Sequence, residues 1–314
     1  MRAPRAALLV VVVVGLGAAR PGVARGEAES VDQLLAAVES GPEGARLHAA
    51  ERLYQLGQAD RAVPRITAQL RDDDPVQRCL AARVLGLLRS GRAVASLAAA
   101  LGDDDWAVRR DVAEALGQIG QPAAVPSLTR RLGDDHPRVR IAAIRSLAEL
   151  GARQALPAAL RREADPEVRL HLVEAIGSST AAECRRALRR ALRDDAESVR
   201  LLAASFLVEQ GDADAVEVLG ARLSSGATAT AKREAAEALG RAAGAAAGPA
   251  RERLALALVD PSTEVTLAAA ASLVALGDPR GEEVLRSLAS DRNPPEIRAR
   301  AQDLLERSPS SENR

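Results

Sequence analysis

Apolar residues along this chain return to the same places with a period near 31 residues. Aligned on Arg109, equivalent positions fall at Arg46, Arg78, Arg140, Arg169, Arg200, Lys232, Thr266 and Arg298, spaced 29 to 34 residues apart. Seven residues beyond each lies Leu53, Leu85, Leu116, Leu147, Ile176, Leu207, Leu239, Leu273 or Leu305. Four residues beyond lies Ala50, Ala82, Ala113, Ile144, Val173, Ala204, Ala236 or Ala270, and only Gln302 breaks the row. Apolar positions one before and three, four and seven after the basic residue share one stripe of a 3.6-residue helix. Each period therefore predicts an amphipathic helix with a basic residue near its start.

A shorter apolar segment precedes each of these helices, at Ala62 to Leu70, Ala93 to Leu101, Ala124 to Leu132, Ala155 to Leu160, Cys184 to Leu192 and Ala215 to Leu223. Pro64, Pro126 and Pro157 fall early in these segments, and the first turn of a helix tolerates a missing N–H. Between the two helices come aspartates such as Asp72 to Asp74, Asp103 to Asp105, Asp134 and Asp135, and Asp194 and Asp195. An aspartate there can cap the second helix, worth roughly 1 kcal/mol. Gly57, Gly120, Gly151, Gly211 and Gly277 close second helices. Nine two-helix units thus run from about Val31 to Arg307. One unit cannot bury both its faces, so neighbours must stack.

The predicted fold is all-α, a right-handed α–α superhelix of about nine two-helix repeats. These residues resemble the HEAT-repeat family, in particular the HEAT-like repeats of the phycobilisome lyase type: a proline-containing helix, an Asp-Pro turn, then Val-Arg, Ala-Ala and Leu-Gly. The resemblance implies a structural ladder of turn aspartates and second-helix arginines, here Asp73, Asp104, Asp135 and Asp195 with Arg78, Arg109, Arg140 and Arg200. Three departures predict an interruption: Thr266 replaces the basic residue, the unit around Lys232 has no turn aspartate, and Gly240 to Pro249 is rich in glycine and alanine. A hinge or change of curvature is expected between about residues 224 and 250.

Composition supports helices and limits the partners. Hydrophobic residues make up 47% of the 314 residues and aromatics 1%, namely Tyr54, Trp106 and Phe206. A core of Ala, Leu and Val suits closely packed helices better than a β-sandwich. Basic and acidic residues balance at 43 each, so no global field recruits nucleic acid or an anionic membrane. Residues 1–26 read as a secretory signal peptide: Arg2 and Arg5 precede an apolar run from Ala6 to Ala19, too short to span a bilayer. Cleavage after Ala19, Ala24 or Gly26 leaves no stable membrane span; an uncleaved run acts as a short anchor. Residues 27–307 then form an exported solenoid, periplasmic or secreted, and 308–314 a disordered tail. Cys79 and Cys184 lie about three units apart, so they read as small buried hydrophobes, not a disulfide.

Chemistry is sparse. His48, His136 and His171 belong to three units and share no metal geometry. Deoxyhypusine hydroxylase has a similar repeat architecture and binds iron through His-Glu pairs, but no His-Glu dipeptide occurs here. No catalytic residue, cofactor or metal is assigned. Arg185, Arg186, Arg189, Arg190 and Arg193 form a strip that could hold phosphates, but Trp106, the sole tryptophan, lies three units away. The strip reads as an outer face paired with Glu183 and Asp194, and no nucleic acid is expected.

What remains is surface. Solvent positions two, five and nine after the basic residue give Glu51, Asp111, Glu114, Glu149, Glu174, Glu209, Glu234 and Glu237 against Arg83, Arg145 and Arg241. The first helices hold the excess arginine, at Arg65, Arg130, Arg131, Arg161 and Arg162. An acidic concave face is expected to bind a protein or peptide with basic segments, in a monomeric, non-enzymatic scaffold. The competing classes are a lyase-type or chromophore- or metal-handling protein and, further off, a nucleic-acid binder.

Overall fold

The computed structural model describes residues 29–224 and 226–307. The expected signal segment (1–26) and tail (308–314) lie outside the described residues. Among the described residues every α-helix belongs to one of nine antiparallel pairs. The first helices are α1 (Val31–Ser40), α3 (Ala59–Gln69), α5 (Val94–Ala100), α7 (Val125–Arg131), α9 (Leu156–Leu160), α11 (Ala182–Ala191), α13 (Asp214–Ser224), α15 (Ala247–Ala257) and α17 (Pro279–Leu288). The second helices are α2 (Glu43–Gln55), α4 (Pro75–Leu88), α6 (Trp106–Ile119), α8 (Pro137–Glu149), α10 (Pro166–Gly177), α12 (Glu197–Glu209), α14 (Ala229–Leu239), α16 (Thr263–Ala275) and α18 (Pro295–Glu306). No strand occurs among the described residues, and the pairs stack into an α-solenoid.

Most local signals act where the pattern places them, but α8 is capped by His136, the Ala196 N-cap of α12 makes no side-chain bond, and one proline is displaced. The side chains of Asp74, Asp105 and Asp165 accept the N–H of Val76, Ala107 and Glu167 and cap α4, α6 and α10. Gly57, Gly120, Gly151, Gly211 and Gly277 have φ between 67° and 81°, a left-handed conformation that a side chain would strain. Pro126 and Pro157 sit in the first turn of α7 and α9, each preceded by a 3-10 turn. Pro64 does not. Helix α3 runs unbroken from Ala59, so Pro64 falls in its interior, a correction to the first-turn placement.

One continuous core of Ala, Leu, Val and Ile extends from Leu34 to Leu273, and the last unit adds a small cluster around Leu285 and Ala301. Successive second helices approach closely because eight residues after the basic position stand Gly86, Gly117, Gly177 and Gly240. A Cβ added at Gly117 would lie 2.5 Å from Ser146 Oγ, and one at Gly240 would lie 2.6 Å from Ser272 Oγ. Ser146 Oγ instead donates to the buried Ala113 carbonyl at 2.9 Å, joining α8 to α6. Most first helices stand further apart, α13 and α15 excepted, leaving open grooves of about 520 Å³ between α3 and α5 and about 480 Å³ between α7 and α9. The stack therefore curves toward the second helices, which form its inner face. Their mutual packing is thin between α12 and α14, beside the expected hinge region, and thinner still between α16 and α18.

Both cysteines are free thiols on different helices, Cys184 buried in α11 and Cys79 half-buried in α4. Burial, reinforced by Asp111, pushes the Cys79 thiol up to about 11, which leaves it unreactive near neutral pH.

Candidate interaction surface

The layers are tied together along one edge by a ladder of guanidinium forks. Arg78 Nε and Nη2 donate to the two oxygens of Asp103 at 2.7 and 2.9 Å, and Arg109 does the same to Asp134 at 2.9 and 2.8 Å. Arg140 grips Glu163 at 2.8 and 2.9 Å, and Arg169 grips Asp194 at 2.8 and 2.8 Å. In each case Nη1 turns back onto two backbone carbonyls of its own unit's turn, as Arg109 does to Asp103 O at 2.9 Å and Asp104 O at 3.1 Å. Every arginine thus binds its own turn through one amino group and the next unit through the fork. Lys232 makes a single-point version to Asp260 at 2.8 Å.

The expected acid partners need correction. Asp73, Asp104 and Asp195 contribute main-chain carbonyls, to Arg78, Arg109 and Arg200, and Asp135 does so for Arg140. Only Asp135 also uses its carboxylate, which accepts from Arg109 Nη2 at 2.6 Å while lying on the surface. The working carboxylates stand one residue earlier, or two at Glu163. Asp103, Asp134, Glu163, Asp194 and Asp260 each also accept the backbone N–H two residues on, an Asx-type turn that fixes the carboxylate inward. Burial alone would raise the carboxyls of Asp103, Asp134 and Asp194, but the arginine forks and the backbone N–H donors hold them below the ordinary aspartate range.

On the inner face the residues five after the basic position form a row across the layers: Glu51, Arg83, Glu114, Arg145, Glu174, Ser205 and Glu237. Its first five members alternate in sign, so arginines interleave the acidic excess. Asp111 is a correction: it is buried, 4% exposed, and accepts from Arg110 Nε and Nη2 at 2.7 and 2.6 Å. Glu209 takes Arg241 at 2.5 Å, and Glu237 takes Arg233 at 2.8 Å. Arg83 is held by Glu43 of α2 at 2.5 Å. His171 bridges Arg145 (3.4 Å) and Glu174 (3.2 Å), so it belongs to this face and is not an isolated polar residue. Glu51, Glu114, Glu149 and Glu234 are exposed and have no hydrogen bond or ion pair among the described residues. Glu114 reaches solvent but stands among packed neighbours, and that partial desolvation, then Asp111, raises its carboxyl against the pull of Arg110, Arg145 and Arg83.

At the end of this face where α6 and α8 begin, Trp106 stacks on His136 with centroids 3.9 Å apart and planes 7° from parallel. The guanidinium carbons of Arg110 and Arg138 lie 5.5 and 5.7 Å from the indole centroid. His136 also caps α8 by accepting the Arg138 N–H at its Nδ1. Trp106, Arg110 and Arg138 lie outside positions two, five and nine, so that reading of solvent positions passes over them. The arginine strip on α11 is corrected in its partners: Arg189 Nε donates to Asp212 at 2.5 Å and Arg185 lies 4.0 Å from it, whereas Asp194 belongs to Arg169. Arg186 approaches Glu183 at 3.8 Å. Among the described residues no cluster of His, Cys, Asp and Glu could hold a metal, and no helix is long and apolar enough to cross a membrane.

The family model described as HEAT repeats matches residues 63–148 and 153–240, and that of the PBS lyase HEAT-like repeat matches 139–158. No curated protein matches the chain. Among solved structures it is similar to YibA of Escherichia coli, at 21% identity over 88% of this chain and 92% of that one, with a TM-score of 0.53. A structure of the complex of CpcE and CpcF of phycocyanin lyase from Nostoc sp. PCC7120 matches at 26% identity over 46% of this chain and 96% of that one, with a TM-score of 0.39. Human deoxyhypusine hydroxylase matches at 25% identity over 88% and 96%, with a TM-score of 0.33.

Proposed function

The chain belongs to the HEAT-repeat family, and from that premise we propose that it is an exported scaffold that binds a protein or peptide along its inner, second-helix face without catalysing a reaction. The observation that carries this reading is the state of the charges on that face. Arg83, Arg233 and Arg241 are engaged by acids of the chain itself, whereas Glu51, Glu114, Glu149 and Glu234 are exposed and have no such partner. A partner with spaced basic residues meets free carboxylates at intervals set by the layers, and the row's own arginines disfavour a uniformly basic stretch. The raised carboxyl of Glu114 adds to this, because an arriving cation lowers the cost of ionising it. Many weak contacts spread over a rigid surface suit assembly.

The test is a location. The chain has 43 acidic residues and a single lysine, so carboxyl-directed crosslinking labels it widely. Crosslinks from a partner captured in an envelope fraction are expected at Glu51, Glu114, Glu149 and Glu234; crosslinks confined to the first helices would defeat the reading. Export is tested by sequencing the mature N-terminus, expected after Ala19, Ala24 or Gly26. An N-terminus still at Met1 in a cytoplasmic fraction would contradict it.

A further inference from the structure

One rung of the ladder has its arginine and lacks its acid. Arg200 repeats half of the arrangement: Nη1 donates to Asp194 O at 2.6 Å and to Asp195 O at 2.9 Å, the same return to its own turn that orients Arg78, Arg109 and Arg140. Six residues before the next basic position, where other units carry Asp103, Asp134, Glu163, Asp194 or Asp260, stands Gly226. Nε and Nη2 of Arg200 have no hydrogen bond among the described residues. The neighbouring acids are committed elsewhere: Asp194 to Arg169, Glu197 to Arg222 at 2.7 Å, and Glu217 to Arg253 at 2.5 Å. Arg200 lines a groove of about 460 Å³ together with the apolar Leu192, Leu201, Val218 and Ala221 and the ion-paired Glu197, Glu217 and Arg222. The fork is therefore oriented by its own turn and left open to this groove, whereas Arg46, the other arginine that takes no carboxylate from the next unit, is filled by the Gln69 and Gln77 amides.

We propose that Arg200 receives the side-chain carboxylate of an aspartate or glutamate in an extended segment of a partner protein, with aliphatic neighbours of that residue lying on Leu192, Leu201, Val218 and Ala221. The geometry of the other rungs specifies the ligand. A guanidinium fork matches a carboxylate with two parallel hydrogen bonds, and an arginine already held in place loses little freedom on binding. This site is separate from the inner-face carboxylates and takes the opposite charge.

The test titrates the purified full chain with fluorescein-labelled Ala-Leu-Asp-Leu-Ala amide and with the same peptide carrying Asn in place of Asp, read by anisotropy. The aspartate peptide is expected to bind at least about tenfold more tightly. That preference should vanish in Arg200→Gln and in Gly226→Asp. The second variant fills the rung from within: a Cβ at Gly226 meets nothing within 4 Å, so the chain folds, with a raised Tm. Charge reversal at Glu114 and Glu149 should leave the preference unchanged, which separates this site from the inner face. Equal binding of the two peptides by the unaltered chain overturns the proposal, as does a folded Gly226→Asp variant that keeps the preference. Self-association that depends on Arg200 would assign the carboxylate to a second copy and overturn the partner named here.

Discussion

Units two to five and units six to eight are built to one plan but tied together differently. From Arg78 to Asp194 every layer is joined to the next by a two-point fork on a carboxylate. Beyond Arg200 the joints weaken in turn: no carboxylate of the next unit accepts from Arg200, Lys232 makes a single contact, and Thr266 only returns to its own turn through Asp260 O at 3.2 Å. Packing between successive second helices is thin at α12–α14, where the rung is open, and thinner still at α16–α18, beyond Thr266. The apolar stripe builds the stack in both regions, and the ladder determines how firmly one layer holds the next.

The largest test of that contrast removes an arginine from each region. Arg109→Ala removes the fork from Asp134, whose side chain is 1% exposed and which keeps only Arg131 at 3.2 Å and the His136 N–H, and is expected to cost about 3 kcal/mol in urea unfolding. Arg200→Ala removes only the two carbonyl bonds and should cost about 1–3 kcal/mol. Equal losses would show that the forks add nothing. Next in size is Gly117→Ala, which brings a Cβ to 2.8 Å from Ser146 Cβ and should cost roughly 1–3 kcal/mol with no effect on the ladder.

Acid gives a smaller effect with a definite sign. Asp103, Asp134 and Asp194 titrate below the ordinary aspartate value of 3.8, so their contribution is complete above that pH and is lost as pH falls through the depressed values. Asp260, lowered chiefly by the Lys232 hydrogen bond, behaves alike. Glu114 runs the other way. Its carboxyl lies above 4.5, so stability declines as pH rises from 4.5 through the raised value, and Glu114→Gln should flatten that slope in a pH series of Tm.

Much of the architecture is legible in the sequence because it repeats: nine register positions, eight of them basic, the apolar residues three, four and seven beyond them, and most of the caps and left-handed glycines recur in register. The ladder is only half legible. Adjacent aspartates such as Asp103 and Asp104 are equivalent in composition, and only the turn geometry, in which the first accepts the N–H of Asp105, shows which carboxylate points inward. Pooling all solvent positions of the inner face shows its acidic excess and hides its order. Glu51, Arg83, Glu114, Arg145 and Glu174 reveal their alternation only when taken one layer at a time. The Trp106–His136 stack joins residues 30 positions apart that sit at neighbouring register positions of successive units, a pairing with no local signal.

Whether the inner face is the working part is tested most directly by titrating a peptide of alternating alanine and arginine against the chain and two variants of equal charge. Reversal to lysine at Glu51, Glu114 and Glu149 is expected to weaken binding at least about tenfold at low salt, whereas reversal at the turn residues Asp73, Asp104 and Asp195 should change it by no more than about twofold. Equal weakening in both variants would mean that the peptide senses only total charge, and would contradict the account.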